Sequence, residues 1–473
     1  MIDRRELLAS AGNLGLLPNV VEKDYVLGWL LAGIFNHAGL KESWVFKGGT
    51  CLKKCYFETY RFSEDLDFTL SDESHLRLDF LTETFREIGG WIYEQTGIEL
   101  PPEKVQFEVF QNRRSRTTGQ GRISYRGPIA PSSGDLPRIK LDLTLDEVLV
   151  LPPVSRLVSH PYSDGPEGGM HARCYSYEEV FAEKVRALAE RARPRDLYDV
   201  INLFRHDEFH PAAAVIRDTL SKKCAFKGIP FPMLATLLPL REELEADWVV
   251  MLDHQLPALP PVEAFWTELP ALFAWLEAGV RPASLAAYPM GAGDVVLRPP
   301  AGSFSIPGMA SSAPIEVIRF AASNRLRVEL DYVDEKGSRG TRIIEPYSLR
   351  RTQAGEIVLH AIRADGGAHR SYRVERIRGA KATKQSFTPR YAIELTPMGP
   401  ISAPPDFYSP RITPFKPAAP QWKATKTGTI YVYQCSLCTK RFEHSKRDAT
   451  LRAHKANNGW PCSGRHGIWV ETK

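Results

Sequence analysis

The sequence predicts an α+β protein of several domains, on three observations. Residues 44–70 read as a strand, a glycine turn, a helix and a second strand. Apolar residues recur at helical spacing near the N-terminus, over 176–192 and 196–204, and through much of 210–290. Three of the seven cysteines crowd the end of the chain, beside a Leu-x-x-His segment. A length of 473 residues fits two to four domains.

Taken in order, residues 1–40 are expected to be helical, with Val21, Tyr25, Val26 and Trp29 in helical register. Residues 138–146 alternate as a half-buried strand does, with Ile139, Leu141, Leu143 and Leu145 on one face. Ser176 and Glu179 fit a capping box at the start of the 176–192 helix, and Pro194 separates that helix from the next. Residues 210–290 read as mainly helical. Gly, Ser and Pro mark 291–312 as a linker, and seven prolines mark 399–425 as a second one. Between them, 313–398 begins with a helix and continues as short strands, and 426–473 forms a small Cys/His module.

The apolar fraction of 43% is that of a globular protein. No apolar run is long enough for a membrane span, and the N-terminus lacks the apolar core of a signal peptide, so a cytoplasmic protein with no membrane partner is expected. Cys51, Cys55, Cys174 and Cys224 are scattered, whereas Cys435, Cys438 and Cys462 cluster, which suits metal binding better than a disulfide framework. The net charge of +5 is uneven: residues 421–473 hold ten Lys/Arg against three Asp/Glu, +7, which leaves −2 for the rest. A basic tail on a near-neutral body suits either a polyanion partner or simple solubility.

The chemistry concentrates in Lys47-Gly48-Gly49-Thr50 and Arg61-Phe62-Ser63-Glu64-Asp65-Leu66-Asp67-Phe68. Strand alternation puts Asp65 and Asp67 on one face. Carboxylates that close repel unless a cation lies between them, and Mg²⁺ accepts one or two carboxylates together with phosphate oxygens. A Gly-Gly turn opening a helix lets a phosphate approach Gly48, Gly49 and the hydroxyl of Thr50. Asp142, central in the 138–146 strand, is the expected third carboxylate, while Asp146 near the strand end is expected at the surface or as a cap. Val180, Lys184 and Leu188 share a helix face, so Lys184 either snorkels to solvent or meets an anion. Asp196 stands where a helix N-cap would.

Together with Glu22-Lys23-Asp24-Tyr25, Ala182-Glu183-Lys184 and Arg195-Asp196-Leu197-Tyr198-Asp199, these motifs resemble the AbiEii/AbiGii toxin family of nucleotidyltransferases, of the polymerase-beta-like superfamily. The resemblance covers roughly residues 10–210. It implies a nucleotidyltransferase domain over 1–210 with a helical extension over 211–290. Asp65, Asp67 and Asp142 would hold Mg²⁺, Gly48, Gly49 and Thr50 the triphosphate, and Lys184 and Asp196 would contribute to NTP binding. It also implies a toxin of a bacterial toxin–antitoxin or phage-defence system, with a cognate antitoxin and RNA, above all the 3′ end of tRNA, as substrate.

Val328-Glu329-Leu330-Asp331-Tyr332, Arg342-Ile343-Ile344-Glu345-Pro346-Tyr347 and the segment around Arg370, Arg373 and Arg376 resemble a WYL domain. An SH3-like β-barrel that senses DNA or another ligand is implied, although Ile357-Val358-Leu359 stands where the name-giving triplet belongs. The three arginines either contact phosphates or form a solvated edge. In the tail, Cys435-x-x-Cys438, Phe442 and Leu451-x-x-His454 look like a structural zinc finger. Cys462 is the expected fourth zinc ligand, with His466 and His444 as alternatives. Lys440, Arg441 and Arg447 make the module a candidate nucleic-acid contact. Two other functions stay open: a nucleotidyltransferase acting on protein, and a nucleic-acid-binding regulator that keeps the transferase fold as a scaffold.

Overall fold

The computed structural model describes residues 1–472 except 58–59, 130–134, 207–208, 210, 298–312, 396–429, 445 and 457–460. Two compact units are present, Met1–Ala418 and Ala419–Lys473. The proline-rich linker expected at 399–425 lies outside the described residues, as does most of the 291–312 linker.

The first unit is organised by a seven-stranded sheet, comprising β1 (Trp44–Lys47), β2 (Asp65–Leu70), β3 (Val105–Gln111), β4 (Thr117–Ser124), β5 (Arg138–Thr144), β6 (Val154–Val158) and β7 (Met170–Cys174). Their order is β3-β4-β5-β2-β1-β7-β6, with β2 at the centre. β2 pairs antiparallel with β1 and parallel with β5. The expected alternation holds: Leu66, Phe68, Ile139, Leu141 and Leu143 are fully buried on one face. Burial of each such side chain contributes about 1.5–3 kcal/mol. This face packs on α2 (Pro18–Asn36) and α4 (Leu78–Thr96), which follow α1 (Arg4–Leu14). Phe68 lies 5.1 Å from Trp44 and 6.1 Å from Phe35 between ring centroids, and Phe85 lies 5.0 Å from Phe107. Between β1 and β2 the chain makes the short helix α3 (Gly48–Cys51), which runs on as a π-helical turn to Tyr56.

After the sheet come α5 (Tyr177–Arg191) and α6 (Pro194–Arg205). Ser176 caps α5 by accepting from the Glu179 N–H. The reciprocal half of the capping box is replaced, because the Glu179 carboxylate accepts from the Val150 and Leu151 N–H groups and pairs with Lys223 at 2.7 Å. Pro194 occupies the first turn of α6, where its missing N–H costs nothing. The helical region continues through α7 (Ala213–Lys227), α8 (Leu234–Leu237), α9 (Arg241–Leu252), α10 (Glu263–Trp266) and α11 (Leu269–Ala278).

A short strand β8 (Val295–Val296) and α12 (Ala313–Ser323) precede an antiparallel sheet of β9 (Leu326–Val333), β10 (Arg339–Arg351), β11 (Ile357–Arg363), β12 (His369–Arg373) and β13 (Ile377–Ser386). The order is β12-β11-β10-β9-β13, with β8 added to β10, and the end strands β12 and β13 do not pair with each other among the described residues. Glu268 joins this part to the helices by accepting from Arg205 at 2.8 Å and from Arg325. The second unit has a three-stranded sheet of β14 (Tyr431–Cys435), β15 (Arg441–His444) and β18 (Gly467–Thr472), and a small ladder of β16 (His454–Lys455) and β17 (Pro461–Cys462). No helix among the described residues is long and apolar enough to cross a membrane.

Candidate active site

The register of the central sheet assembles the carboxylates. Asp67 on β2 faces Lys47 on β1 and Asp142 on β5, and Asp142 faces Gln120 on β4. One step along, Asp65 faces Lys140, and Lys140 faces Arg122. Residues paired across strands project to the same face, so Asp65, Asp67 and Asp142 share the side away from α2 and α4. Their electrostatics are those of an unneutralised cluster. Burial, together with Asp142 and Asp65, pushes the Asp67 carboxyl up to about 6, against the pull of Lys47 and Lys184. Burial and Asp142 also raise Asp65, against Lys140. Lys140 donates to Asp142 at 3.0 Å, and that bond holds its ammonium above the usual range although burial opposes it.

Gly48 explains why this turn is glycine. It adopts φ +82°, and a Cβ there would lie 2.1 Å from an Asp67 carboxylate oxygen. A Cβ on Gly49 would meet the Arg61 guanidinium at 2.3 Å. The backbone therefore passes directly over the carboxylate row. Thr50 departs from expectation: it is fully buried and its hydroxyl donates to the Asp65 carbonyl at 2.5 Å. That hydroxyl braces the turn against β2 rather than pointing at a phosphate.

Lys184 does not snorkel. Its ammonium is 2.7 Å from Asp199 and 3.5 Å from Asp196. Asp196 is no N-cap either, since Arg193 holds that position and the Asp196 carboxylate accepts from Arg191 at 2.7 and 2.9 Å. Asp199, which the sequence reading does not single out, is the hub of this region. It accepts two 2.7 Å bonds from Arg61, one of 2.7 Å from the Tyr60 hydroxyl, and the Lys184 ion pair. Although burial opposes its charge, Arg61 and Lys184 hold its carboxyl far below the ordinary range. Arg61 thus links the turn at Gly49 to α5 and α6. An Asp set three residues after Asp196, amid the apolar stripe of α6, was the available signal.

Asp146 is also reassigned. It is buried rather than superficial, and accepts from Arg114 at 2.9 Å and Asn112 at 3.0 Å beside Lys227. In the Glu22–Tyr25 segment, Asp24 pairs with the buried Lys54 at 2.8 Å and Lys23 with Glu64 at 2.6 Å. Three of the cysteines that look scattered in sequence are neighbours. The Cys51, Cys55 and Cys174 sulfurs lie within 4.8 Å of one another, buried behind the turn.

In the second unit, the ligand atoms of Cys435, Cys438, His454 and Cys462 all lie within 4.8 Å of one another. The donor set fits zinc. His454 presents Nε2 to Cys438 at 3.3 Å while Nδ1 is 2.9 Å from the Arg452 carbonyl, an arrangement that fixes the metal-binding tautomer. N–H groups of Cys438 and Leu437 lower the Cys435 thiol to about 6. Gly464 passes so close that a Cβ would be 2.4 Å from the Cys435 sulfur. His444 instead packs on Tyr433, and His466 belongs to an isolated bridge with Thr450. Of the basic residues, Arg441 pairs with Glu471 at 3.7 Å, Arg447 lies over the Tyr431 ring and Lys440 donates to the Lys455 carbonyl. In the first unit, Arg373 and Arg376 face Glu356 and Glu335, whereas the Arg370 guanidinium donates to the His369 carbonyl.

A glycine turn laid over carboxylates on one face of a mixed sheet suits a nucleotidyltransferase, and the family comparison shows that class. The family model described as nucleotidyl transferase AbiEii toxin, type IV toxin–antitoxin system, matches residues 29–277, more than half of the chain. The protein belongs to that family. The WYL domain model matches residues 314–382. Among solved structures, MenT4, a nucleotidyltransferase toxin from Mycobacterium tuberculosis H37Rv, is 19% identical, covering 58% of this chain and 99% of that one with a TM-score of 0.32. Proteasome accessory factor B/C of Arthrobacter aurescens is 16% identical over 62% of this chain and 40% of that one, with a TM-score of 0.16. No curated protein matches by sequence.

Proposed function

We propose that this chain is the cytoplasmic toxin of a toxin–antitoxin or phage-defence pair, transferring NMP from an NTP to the 3′-hydroxyl of an RNA, with the tRNA 3′ end as the expected acceptor. The observation that carries the reading is the cross-strand row Lys47–Asp67–Asp142 with Asp65 one step away. In it, carboxylates raised by burial and mutual repulsion fit a divalent cation.

Asp65, Asp67 and Asp142 would hold Mg²⁺, which when bound neutralises charge on the phosphate oxygens. The remaining work falls to the chain. Gly48 and Gly49 offer backbone for the triphosphate without a side chain in the way. Lys184, fixed by Asp199 with Asp196 beside it, adds positive potential behind the site. Asp142 accepts the proton of the attacking hydroxyl. A bond forms between that oxygen and the α-phosphorus, the α–β bridging bond breaks, and pyrophosphate leaves on the opposite side. Catalysis of this kind is mostly positioning and charge stabilisation.

Residues 1–210 would form the transferase domain, 211–290 its helical extension and 313–398 a WYL-like domain that senses DNA or a ligand through Arg370, Arg373 and Arg376. Residues 426–473 would form a Zn²⁺ module, with Cys435, Cys438, His454 and Cys462 as ligands and Lys440, Arg441 and Arg447 as nucleic-acid contacts.

The test incubates the protein with Mg²⁺, each α-labelled NTP and bacterial RNA or protein extract, with Asp65→Ala/Asp67→Ala as control. Label in RNA from wild type only is expected. Label in protein would redirect the substrate assignment, and no label in either would leave a binding regulator. In cells, expression should arrest growth and Asp67→Ala should relieve the arrest; equal toxicity of the mutant would defeat the catalytic-toxin reading.

A further inference from the structure

A cleft of about 560 Å³ opens at the end of the central sheet, where Asn19 and Lys23 of α2 meet Gln106, Arg122 and Arg138 from the carboxylate face. Its position follows from register. Gln106, Arg122, Lys140 and Asp65 form one continuous row across β3, β4, β5 and β2. Gln106 and Arg122 line the cleft, together with Ser124 and its cross-strand partner Arg138. The cleft therefore comes nearest the Asp67–Asp142 row at Arg122, two positions from the Gln120 that faces Asp142.

Its chemistry is that of an anion site. Lys23, Lys104, Arg122 and Arg138 line it against a single carboxylate, Asp135. Lys23 is engaged by Glu64 and Arg122 by Glu108, but Lys104 and Arg138 have no ion-pair partner among the described residues. Tyr125 is fully buried behind the cleft wall, where the Glu22 and Glu64 carboxylates act on its hydroxyl, so it offers the cleft no donor. Four cations against one carboxylate, two of them without an ion-pair partner among the described residues, suit phosphate oxygens.

Which phosphates follows from the direction of transfer. Gly48 and Gly49 lie over Asp67 from the β1 side, whereas the cleft lies beyond Asp142 on the β5–β4–β3 side. In-line displacement sets the attacking hydroxyl and the leaving pyrophosphate on opposite sides of the α-phosphorus. With the triphosphate tail at the glycine turn, the acceptor must enter from the cleft.

Resting on the reading under Proposed function, we propose that this cleft is the acceptor subsite. It binds the phosphodiester backbone of a single RNA strand through Lys104, Arg122 and Arg138, and so delivers the strand's 3′-hydroxyl to Asp142. Its volume suits a few linked groups of a single strand and is too small for a duplex.

The experiment uses the full chain, a mixed-sequence single-stranded RNA oligonucleotide with a free 3′-hydroxyl, and its duplex. RNA affinity is read by fluorescence anisotropy over a salt series, NTP affinity is read separately, and thermal transitions are followed for every variant. Lys104→Glu/Arg138→Glu should weaken single-strand binding about tenfold or more and reduce the slope of log affinity against log salt by about 1.4 for two lost contacts. NTP affinity should move less than about twofold. If the charge reversals shift the thermal transition, the Lys104→Gln/Arg138→Gln pair replaces them. Unchanged RNA affinity in a folded variant overturns the proposal, as does tighter binding of duplex than of single strand. Loss of protein labelling in these variants, with RNA binding intact, would assign the cleft to a protein acceptor and also overturn it. Absence of any nucleotidyl transfer by wild type would instead defeat the underlying reading, while the binding series would still decide the cleft.

Discussion

The carboxylates of the central sheet and the thiols of the C-terminal module are candidate metal centres built on opposite principles. Asp65, Asp67 and Asp142 stand on neighbouring strands of a sheet whose other face is a large core, so their positions are set by register and by Leu66, Phe68 and Leu141 beneath them. The Cys435–Cys438–His454–Cys462 cluster stands on turns and two-residue strands, with a core little larger than Tyr433, Leu451 and the cysteines themselves. In the first, the fold holds like charges together and the carboxyls rise; in the second, backbone N–H groups reach for Cys435 and its thiol falls. A site framed by a core exists before its metal arrives, whereas a module this small takes its stability from the metal.

Metal removal sharpens this contrast most. Chelation, or Cys435→Ser, should unfold the 430–472 module, because structural zinc contributes about 10–16 kcal/mol of folding free energy in such modules. Circular dichroism and proteolysis would show cleavage confined to the tail while the main thermal transition stays. A tail equally protected after chelation would break the comparison. Asp67→Ala is the mirror image. Transfer should fall by about a thousandfold with no loss of thermal stability, since a repelling charge is removed; a large drop in melting temperature would show that the carboxylate row is structural.

The hub beside the row should behave differently again. Asp199→Asn leaves Arg61 and Lys184 buried against a neutral partner, and breaking a buried ion pair this way costs about 3–5 kcal/mol. Denaturant unfolding would measure it. A cost near zero would make Asp199 a ligand-facing group instead of a brace.

These regions also differ in how legible they were. Alternation alone put Asp65 and Asp67 on one face, and the four-residue spacing found Lys184. Cys-x-x-Cys with His454 and Cys462 named a ligand set that the fold brings together. What local pattern does not contain is pairing between distant strands. The Asp67–Asp142 register spans 75 residues of sequence (142 − 67), and the segments that form β3, β4, β6 and β7 carry no local pattern that announces their place in the sheet. The same gap hid the contact of Cys174 with Cys51 and Cys55, and the Arg61–Asp199 pair. Local chemistry also misplaced roles: the Thr50 hydroxyl and the Asp196 carboxylate have side-chain types suited to phosphate binding and capping, but the fold gives both other partners.

The finest discrimination comes from pH. Asp67 has a folded pKa of about 6, above the ordinary carboxylate value of about 3.9. Between these values the folded state binds more protons than the unfolded state, so the group's contribution to stability falls as pH rises through that window. Asp199 is shifted the other way, so its contribution is complete above the ordinary carboxylate value and is lost only as pH falls below it. In EDTA, wild type minus Asp67→Asn should therefore lose melting temperature between pH 4 and pH 6 as pH rises, and stay flat above. Mg²⁺ should reverse the sign above pH 6, because a bound cation favours the ionised carboxyl over the neutral amide. Asp199→Asn should show its difference intact across that whole range and lose it only in stronger acid. A wild-type curve parallel to Asp67→Asn in both EDTA and Mg²⁺ would mean that the carboxylate row is neither strained without metal nor relieved by it, and the contrast with the thiol centre would collapse.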